Sequence, residues 1–368
     1  MKILVISPNN KTVYNFRGDL IKDMISSGHQ VYVTGPNSDF IDEIKKLGVK
    51  DFFQIHVKNN KTSIKEDLRY FFNLRKLIQK LKPDLVFSYT LKPVVYGSIA
   101  AKSCGVKNIQ SLIAGLGRIY SSESIKAKIV RAFTYVLCKI AFFCSTRVIF
   151  QNPDDVKDLV NKHYLPLKKT AVVNGSGVNM SRFSPTPFPS KPTFLMVCRI
   201  IEQKGVFDFA KASRLLKKEI PDARCILLGG FDTGIGSITQ RDLQEFIDDG
   251  SIELPLEVKD PVPFYQNSSV FVLPSFYREG IPRSILEGMS CARPIITTNW
   301  PGCKEPIIDG VNGFLVPPHD PNSLYKRMLF LATHCDKAQE MGRIAYQSCK
   351  ERFEVSIVNK QMKNIMKY

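Results

Sequence analysis

The chain runs to 368 residues with 52 Lys plus Arg against 34 Asp plus Glu, a formal net charge of +18, at 44% hydrophobic and 23% charged composition. At roughly 100–200 residues per domain, that length predicts two domains that each bury a core without disulfides or a structural metal, and it excludes a mini-protein, a coiled coil and a disordered chain. The longest apolar run, Ala132 to Thr146, is broken by Lys139 and falls short of the roughly 20 residues that span a bilayer, so an integral membrane protein is not expected.

The opening MKILVISP has one basic residue and a short apolar run, without the core and cleavage site of a signal peptide. The expectation is retention in the cytoplasm. Predicted strands follow at Ile3 to Ser7, Val31 to Thr34, Phe52 to Val57, Leu85 to Tyr89 and Val148 to Phe150, alternating with helical patterns that include Thr62 to Lys82 and Ile125 to Arg147. This is the βαβ rhythm of a parallel sheet covered on both faces. It stops at Ser184 to Pro192, a proline-dense stretch that continues neither helix nor sheet and reads as a linker. It then restarts with strands at Thr193 to Val197, Cys225 to Gly229, Val270 to Pro274 and Pro294 to Thr297. The expected organisation is an N-terminal domain over 1–184, a linker over 185–192, a second domain over 193–350, and a C-terminal helix over 351–368 able to cross back to the first. The fold class is α/β, with two doubly wound Rossmann-like domains facing a central cleft.

The nine cysteines are odd in number, widely spaced and never arranged Cys-x-x-Cys, so they read as reduced core thiols. The charge is uneven: residues 1–184 carry 29 basic and 13 acidic residues, net +16, and residues 185–368 carry 23 and 21, net +2. So localised a field points to an anionic partner for the first half, either nucleic acid or the anionic cytoplasmic leaflet with its phospholipid-bound substrates.

Ligands of open parallel sheets sit outside the carboxyl ends of the strands, so the loops after strands are where chemistry is expected. The loop Pro8 to Arg17 lacks Gly-x-Gly-x-x-Gly, and the pairs Gly115/Gly117, Gly175/Gly177 and Gly234/Gly236 lack the third glycine, which disfavours a dehydrogenase. No Gly-Lys and no His-Glu-x-x-His occurs, which removes the P-loop and that zinc site, and no Asp-x-Asp occurs to chelate a metal. No metal and no cofactor is expected.

The informative segment is Leu273 to Thr297. A buried strand ends at Pro274, Gly280 gives an unencumbered loop, and Pro282 suits the first position of a helix. The amides near Gly280, Ile281, Pro282, Arg283 and Ser284 then open a helix whose dipole attracts phosphate. Glu279 stands just before that helix and Glu287 about one and a half turns inside it. Carboxylates there repel phosphate but accept hydrogen bonds from sugar and ribose hydroxyls. Arg199 and Lys204, after the first strand of the second domain, supply a cationic clamp for a leaving diphosphate.

With these residues in order, the chain resembles the retaining glycosyltransferases of family 4, which have the GT-B fold. The resemblance rests on Glu279 and Glu287 at a spacing of eight, Gly288 to Thr297, Gly302, Glu305, Gly310 and Gly313, preceded by Arg199, Lys204-Gly205 and Gly229-Gly230. It implies that Glu279 contacts donor-sugar hydroxyls, that Glu287 holds the ribose, and that Arg199 and Lys204 bind the diphosphate and stabilise its departure. Backbone near Val258, within Leu256 to Lys259, would read the base, with Pro255 where the family usually has glycine. The acceptor side would use Phe16 and Arg17, the loop Tyr89 to Pro93, and Gly115 and Gly117. The histidine that many members carry near that last loop is missing, so its part is absent or met by another group, for which Lys92 is the candidate. Asn15 to Arg17 and Gly115 to Gly117 carry a narrower likeness to bacterial enzymes that add an N-acetylhexosamine to sugars on undecaprenyl diphosphate during capsule, O-antigen or glycan assembly.

The resemblance implies a metal-independent, UDP-sugar-dependent transferase, peripheral on the inner face of the plasma membrane, with a polyprenyl-diphosphate-linked acceptor and no nucleic acid. The Thr62 helix interleaves apolar and basic residues as an interfacial helix does and equally as an ordinary amphipathic helix covering the sheet does, whereas the Ile125 helix is expected in the core. Two alternatives stay open. A nucleotide-sugar epimerase would need further acid and base groups, and a nucleic-acid-binding protein would need basic residues interleaved with exposed aromatics. Glu279→Ala is expected to lower turnover and leave folding intact.

Overall fold

The computed structural model describes residues 1–57, 63–117, 125–233 and 236–368, with side chains throughout except over 125–134. Internal contacts divide the chain into two compact units, Met1–Ser176 with Val358–Tyr368, and Gly177–Ile357.

The first unit holds β1 (Lys2–Ile6), β2 (Gln30–Gly35), β3 (Asp51–Gln54), β4 (Leu85–Tyr89), β5 (Asn108–Ile113), β6 (Arg147–Phe150) and β7 (Thr170–Val172), in the order β3-β2-β1-β4-β5-β6-β7. Every pairing is parallel. The central strands are apolar on both faces because helices cover both. Ile3 and Val5 pack with Leu85 and Phe87 into one core, while Leu4 and Ile6 pack with Val86 and the helix Ile64–Leu81 into another, as the alternation of a strand requires.

The second unit holds β8 (Thr193–Val197), β9 (Arg224–Leu228), β10 (Glu253–Leu256), β11 (Val270–Leu273), β12 (Ile295–Thr298) and β13 (Gly313–Val316), ordered β10-β9-β8-β11-β12-β13. These pairings are parallel as well. Both sheets reverse their strand order beside the first strand, between β1 and β4 and between β8 and β11, the doubly wound arrangement in which ligands bind at the reversal.

The division at Ser176/Gly177 differs from the expected boundary at 184. The segment read as a free linker is bound to the second unit. Phe183 is buried edge-on to Tyr265 at 5.5 Å, and the buried Arg293 donates to the Thr186 carbonyl at 2.9 Å with its guanidinium 4.8 Å from the Phe188 ring. At the other end, Cys335–Arg352 and Val355–Met366 are separate helices. Met362 and Met366 enter the core of the first unit, where Lys363 donates to Ser27 and Asn108 to the Met366 carbonyl, both at 2.9 Å.

Two helices of the first unit have an unburied apolar side. The helix Ile64–Leu81 begins at Ser63, whose side chain accepts from the Glu66 amide; Thr62, its expected first residue, lies outside the described residues. It buries Tyr70, Leu74, Leu77 and Ile78 and exposes Ile64, Leu68 and Phe72. The helix Ile125–Cys144, expected in the core, buries Cys138, Ala141 and Phe142 but exposes Val136, Ile140 and Phe143. Among the described residues no helix is long and apolar enough to cross a membrane.

Candidate functional site

Since the second sheet is parallel throughout, the loops after β8, β9, β11 and β12 emerge on one edge. The loop after β8 ends in a short turn, Glu202–Lys204, and Gly205. Gly205 has φ +76°, and a Cβ there would stand 2.1 Å from the Pro274 carbonyl oxygen, so only glycine lets this loop press against the one after β11. That approach brings the Lys204 ammonium onto the Glu279 carboxylate as an ion pair with side chains 10% and 15% exposed. Arg199 donates to Asp232 at 2.7 Å, in the loop after β9. The guanidinium of Arg199 and the ammonium of Lys204 lie 5.5 and 5.4 Å from the centre of the Tyr277 ring. Burial works against the charge of Arg199, but Tyr277, Glu279 and Asp232 outweigh it and raise the pKa. The two predicted cations therefore converge, and Tyr277 and Asp232 join them without any spacing rule that would have nominated either.

Glu279 is held by its own loop. Its amide donates to the Tyr277 carbonyl at 2.8 Å, and the Ser275 hydroxyl, 3.5 Å from Oε1, also donates to the Gln203 carbonyl at 3.3 Å. Gly302, at φ +91°, closes the site from the loop after β12: a Cβ there would meet the Gly280 carbonyl at 2.1 Å and the Glu279 Cβ at 2.7 Å. Glu279 is thus a confined, ion-paired carboxylate. The expectation that its removal leaves folding untouched does not survive, because Lys204, itself buried, would lose this partner.

The next helix is Arg283–Ser290, and Pro282 precedes it at φ −62°, ψ 119° instead of opening it. Gly280, Ile281 and Pro282 are buried, and Arg283 and Ser284 half-buried. One turn in, Glu287 receives the Arg283 guanidinium at 3.2 Å on Oε1 and the Tyr265 hydroxyl at 2.9 Å on Oε2. Burial raises its pKa, and Arg283, Tyr265 and Arg182 offset only part of that rise. Val258, half-buried, follows β10, whose last residue Leu256 takes the left-handed φ of +64°.

In the first unit, the loop after β1 passes through a π-helical turn, Val13–Arg17, a form common at functional sites. Phe16 is exposed, while Arg17 is buried with its guanidinium 5.2 Å from the Tyr89 ring centre. The Tyr89 hydroxyl donates to Ser7 at 2.9 Å and lies 3.1 Å from the Thr12 hydroxyl. Lys92, in the first turn of the helix Leu91–Ser103, pairs with Asp67 at 2.8 Å. Gly115 and Gly117 follow β5 with φ of +94° and +70°. All these residues lie at or just beyond carboxyl ends of the first sheet. Among the described residues no group of three or more His, Cys, Asp or Glu side chains is placed to hold a metal ion.

Residues 2–152 match the family model described as "Glycosyl transferase 4-like" and residues 191–334 the one described as "Glycosyl transferases group 1". The chain belongs to the family 4 glycosyltransferases and has their GT-B fold. It is 27% identical, over 99% of its length and 98% of the relative's, to the N,N'-diacetylbacillosaminyl-diphospho-undecaprenol α-1,3-N-acetylgalactosaminyltransferase of Campylobacter jejuni. It is 28% identical, over 80% and 77%, to the UDP-Gal:α-D-GlcNAc-diphosphoundecaprenol α-1,3-galactosyltransferase of Escherichia coli. Among solved structures, Anabaena HepE in complex with UDP-glucose superposes with a TM-score of 0.79 at 18% identity, covering 100% of this chain and 99% of that one. These relatives are transferases, and nothing in them favours the epimerase or nucleic-acid alternatives.

Proposed function

We propose that the protein transfers a sugar, an N-acetylhexosamine, from a UDP-sugar to a saccharide carried on polyprenyl diphosphate, with retention at the anomeric carbon. The observation that carries this reading is the meeting of Lys204, Arg199 and Glu279 at the strand-order reversal of the second sheet. Arg199 and Lys204 bind the diphosphate and stabilise the charge that develops as the bond from the anomeric carbon to the phosphate oxygen breaks. Glu279 holds hydroxyls of the donor sugar and Glu287 those of the ribose. Gly280 to Ser284 line the phosphates, and Val258 lies beside the base. The acceptor hydroxyl attacks the face that the diphosphate leaves, and its proton passes to the departing phosphate. Phe16, Arg17, Lys92, Gly115 and Gly117 belong to the acceptor side. The donor and acceptor classes are supported by the Campylobacter and Escherichia relatives.

The proposed place of work is the inner surface of the plasma membrane. Ile64, Leu68 and Phe72 form an exposed apolar stripe at helical spacing among Lys65, Arg69 and Lys76, the composition of an interfacial helix. The test of the reaction is UDP release from a panel of UDP-sugars, with and without short polyprenyl-diphosphate-linked sugars, in the presence of chelator. Acceptor-dependent release from one donor is the expected result. No release from any pair, together with no binding of any nucleotide sugar, would overturn the reading.

A further inference from the structure

Tyr277 lies in the loop after β11 and is half-buried, yet among the described residues its ring joins none of the buried apolar clusters. The chain around it is braced. Its amide donates to the Ser275 hydroxyl at 3.2 Å, and its carbonyl accepts from the Glu279 amide at 2.8 Å. The Phe276 amide donates at 2.9 Å to the carbonyl of Gln203, the residue before Lys204, and the Phe276 ring packs on His319 with centroids 4.0 Å apart. Tyr277 is therefore a ring on a fixed loop, whereas Arg199 and Lys204 reach it on long stems with many rotamers.

Each of these cations also has a carboxylate partner, Asp232 at 2.7 Å for Arg199 and Glu279 for Lys204. The two kinds of contact differ in what they consume. A carboxylate occupies N–H donors, the groups that a phosphate needs. A ring face attracts the cation through its quadrupole and takes no N–H. Contact with the ring can therefore persist when a diphosphate binds, and it offsets part of the repulsion between two like charges drawn to one place. We propose that Tyr277 is a positioning residue for the diphosphate clamp, its ring holding the Arg199 guanidinium 5.5 Å and the Lys204 ammonium 5.4 Å from its centre. The assignment rests on the diphosphate role proposed for these two cations.

The test compares the full-length protein with Tyr277→Phe, which keeps the ring face, and Tyr277→Leu, which keeps apolar bulk without it. Calorimetry reads binding of UDP and of inorganic pyrophosphate, and steady-state kinetics use the productive donor and acceptor pair. In Tyr277→Leu, affinity for both anions should fall about tenfold and kcat at least as far, with acceptor KM within about twofold of wild type. Its unfolding midpoint should match wild type, and Tyr277→Phe should stay within about threefold of wild type in every binding and kinetic constant. A ring that only supported the loop would instead lower the midpoint of Tyr277→Leu and raise both KM values together. Wild-type affinity for both anions in Tyr277→Leu, or a Tyr277→Phe as weak as Tyr277→Leu, overturns the proposal and leaves the transferase reading standing. A wild type that binds neither UDP nor any UDP-sugar removes the diphosphate role itself, and the proposal falls with it.

Discussion

Replacing Tyr265 by Phe takes one hydroxyl from the Glu287 carboxylate and little else. The ring is buried, stacked on Phe271 and edge-on to Phe183 with both centroids 5.5 Å away, and phenylalanine keeps that packing. What goes is the 2.9 Å bond to Oε2, and a hydrogen bond to a charged group is worth about 1.5–3 kcal/mol. The Glu287 pKa, already raised by burial, therefore moves further up, because that bond favours the ionised carboxylate over the protonated one. Arg283 and Arg182 remain as the groups that favour its charge. Glu287 can accept ribose hydroxyls without giving up a lone pair to its own proton only when ionised. UDP affinity should therefore fall toward acid, with a midpoint displaced to higher pH in the variant. The linkage has a definite sign. A carboxyl whose folded pKa lies above its unfolded value contributes stability below the unfolded value and loses it as pH rises through the folded one, so Tyr265→Phe should widen that acidic window upward. Calorimetric titration with UDP across acidic to neutral pH, with thermal unfolding in the same buffers, measures both effects. A variant whose UDP affinity and acid limb coincide with those of wild type refutes the reasoning.

Glu279→Gln should lower turnover by about 10²–10³-fold while keeping an oxygen toward Lys204; Glu279→Ala should also lower the unfolding midpoint, because it leaves a buried ammonium without this carboxylate. Gly205→Ala, with its Cβ driven toward the Pro274 carbonyl, should cost about 1–3 kcal/mol in denaturant unfolding and lose activity beyond that by separating Lys204 from Glu279. Arg293→Met removes bonds to the carbonyls of Tyr265, Thr186 and Gln266 from a guanidinium whose pKa burial lowers to about 10, and should destabilise the protein by roughly 3–5 kcal/mol; an unchanged midpoint would mean that the segment around Thr186 is held otherwise. Sedimentation with anionic liposomes should weaken with salt and fall further in Ile64→Ser/Phe72→Ser. Equal binding of wild type to neutral vesicles at any salt would contradict the electrostatic account.

Most of the strands delimited in the sequence carry an unbroken apolar signal; Phe52 to Val57, interrupted by Gln54 and His56, is the exception. Every predicted strand overlaps an observed one, and those inside each sheet are apolar along their length because both faces are covered. Three of the four strands not delimited lack that signal, whereas β13, Gly313–Val316, carries it over only four residues. In β5, Gln110 and Ser111 are buried polar residues, Ser111 and Ser98 sharing a hydrogen bond at 2.9 Å. The edge strand β10 contains Pro255, and β7 is only Thr170–Val172. The proline-dense stretch misled for a related reason. Proline excludes regular structure but does not exclude packing, and the side chain that fixes the stretch, Arg293, is remote in sequence and looks like a surface charge until it is found buried.

The site divides along the same line. Glu279, Glu287 and the amides between them lie on one short segment, so their spacing already expresses their geometry. Lys204 becomes informative only through Glu279, and that pairing depends on Gly205 lying against Pro274, a contact between loops of two strands adjacent in the sheet but far apart in sequence. Tyr265 reaches Glu287 in the same way, from a different element. Lys92 shows the limit from the other side. Its position after β4 suggested a cation available to the acceptor, yet Asp67, a full helix away in the chain, engages its ammonium. Which charges are free to act is decided by long-range pairing, and a sequence motif records only the partners that share its segment.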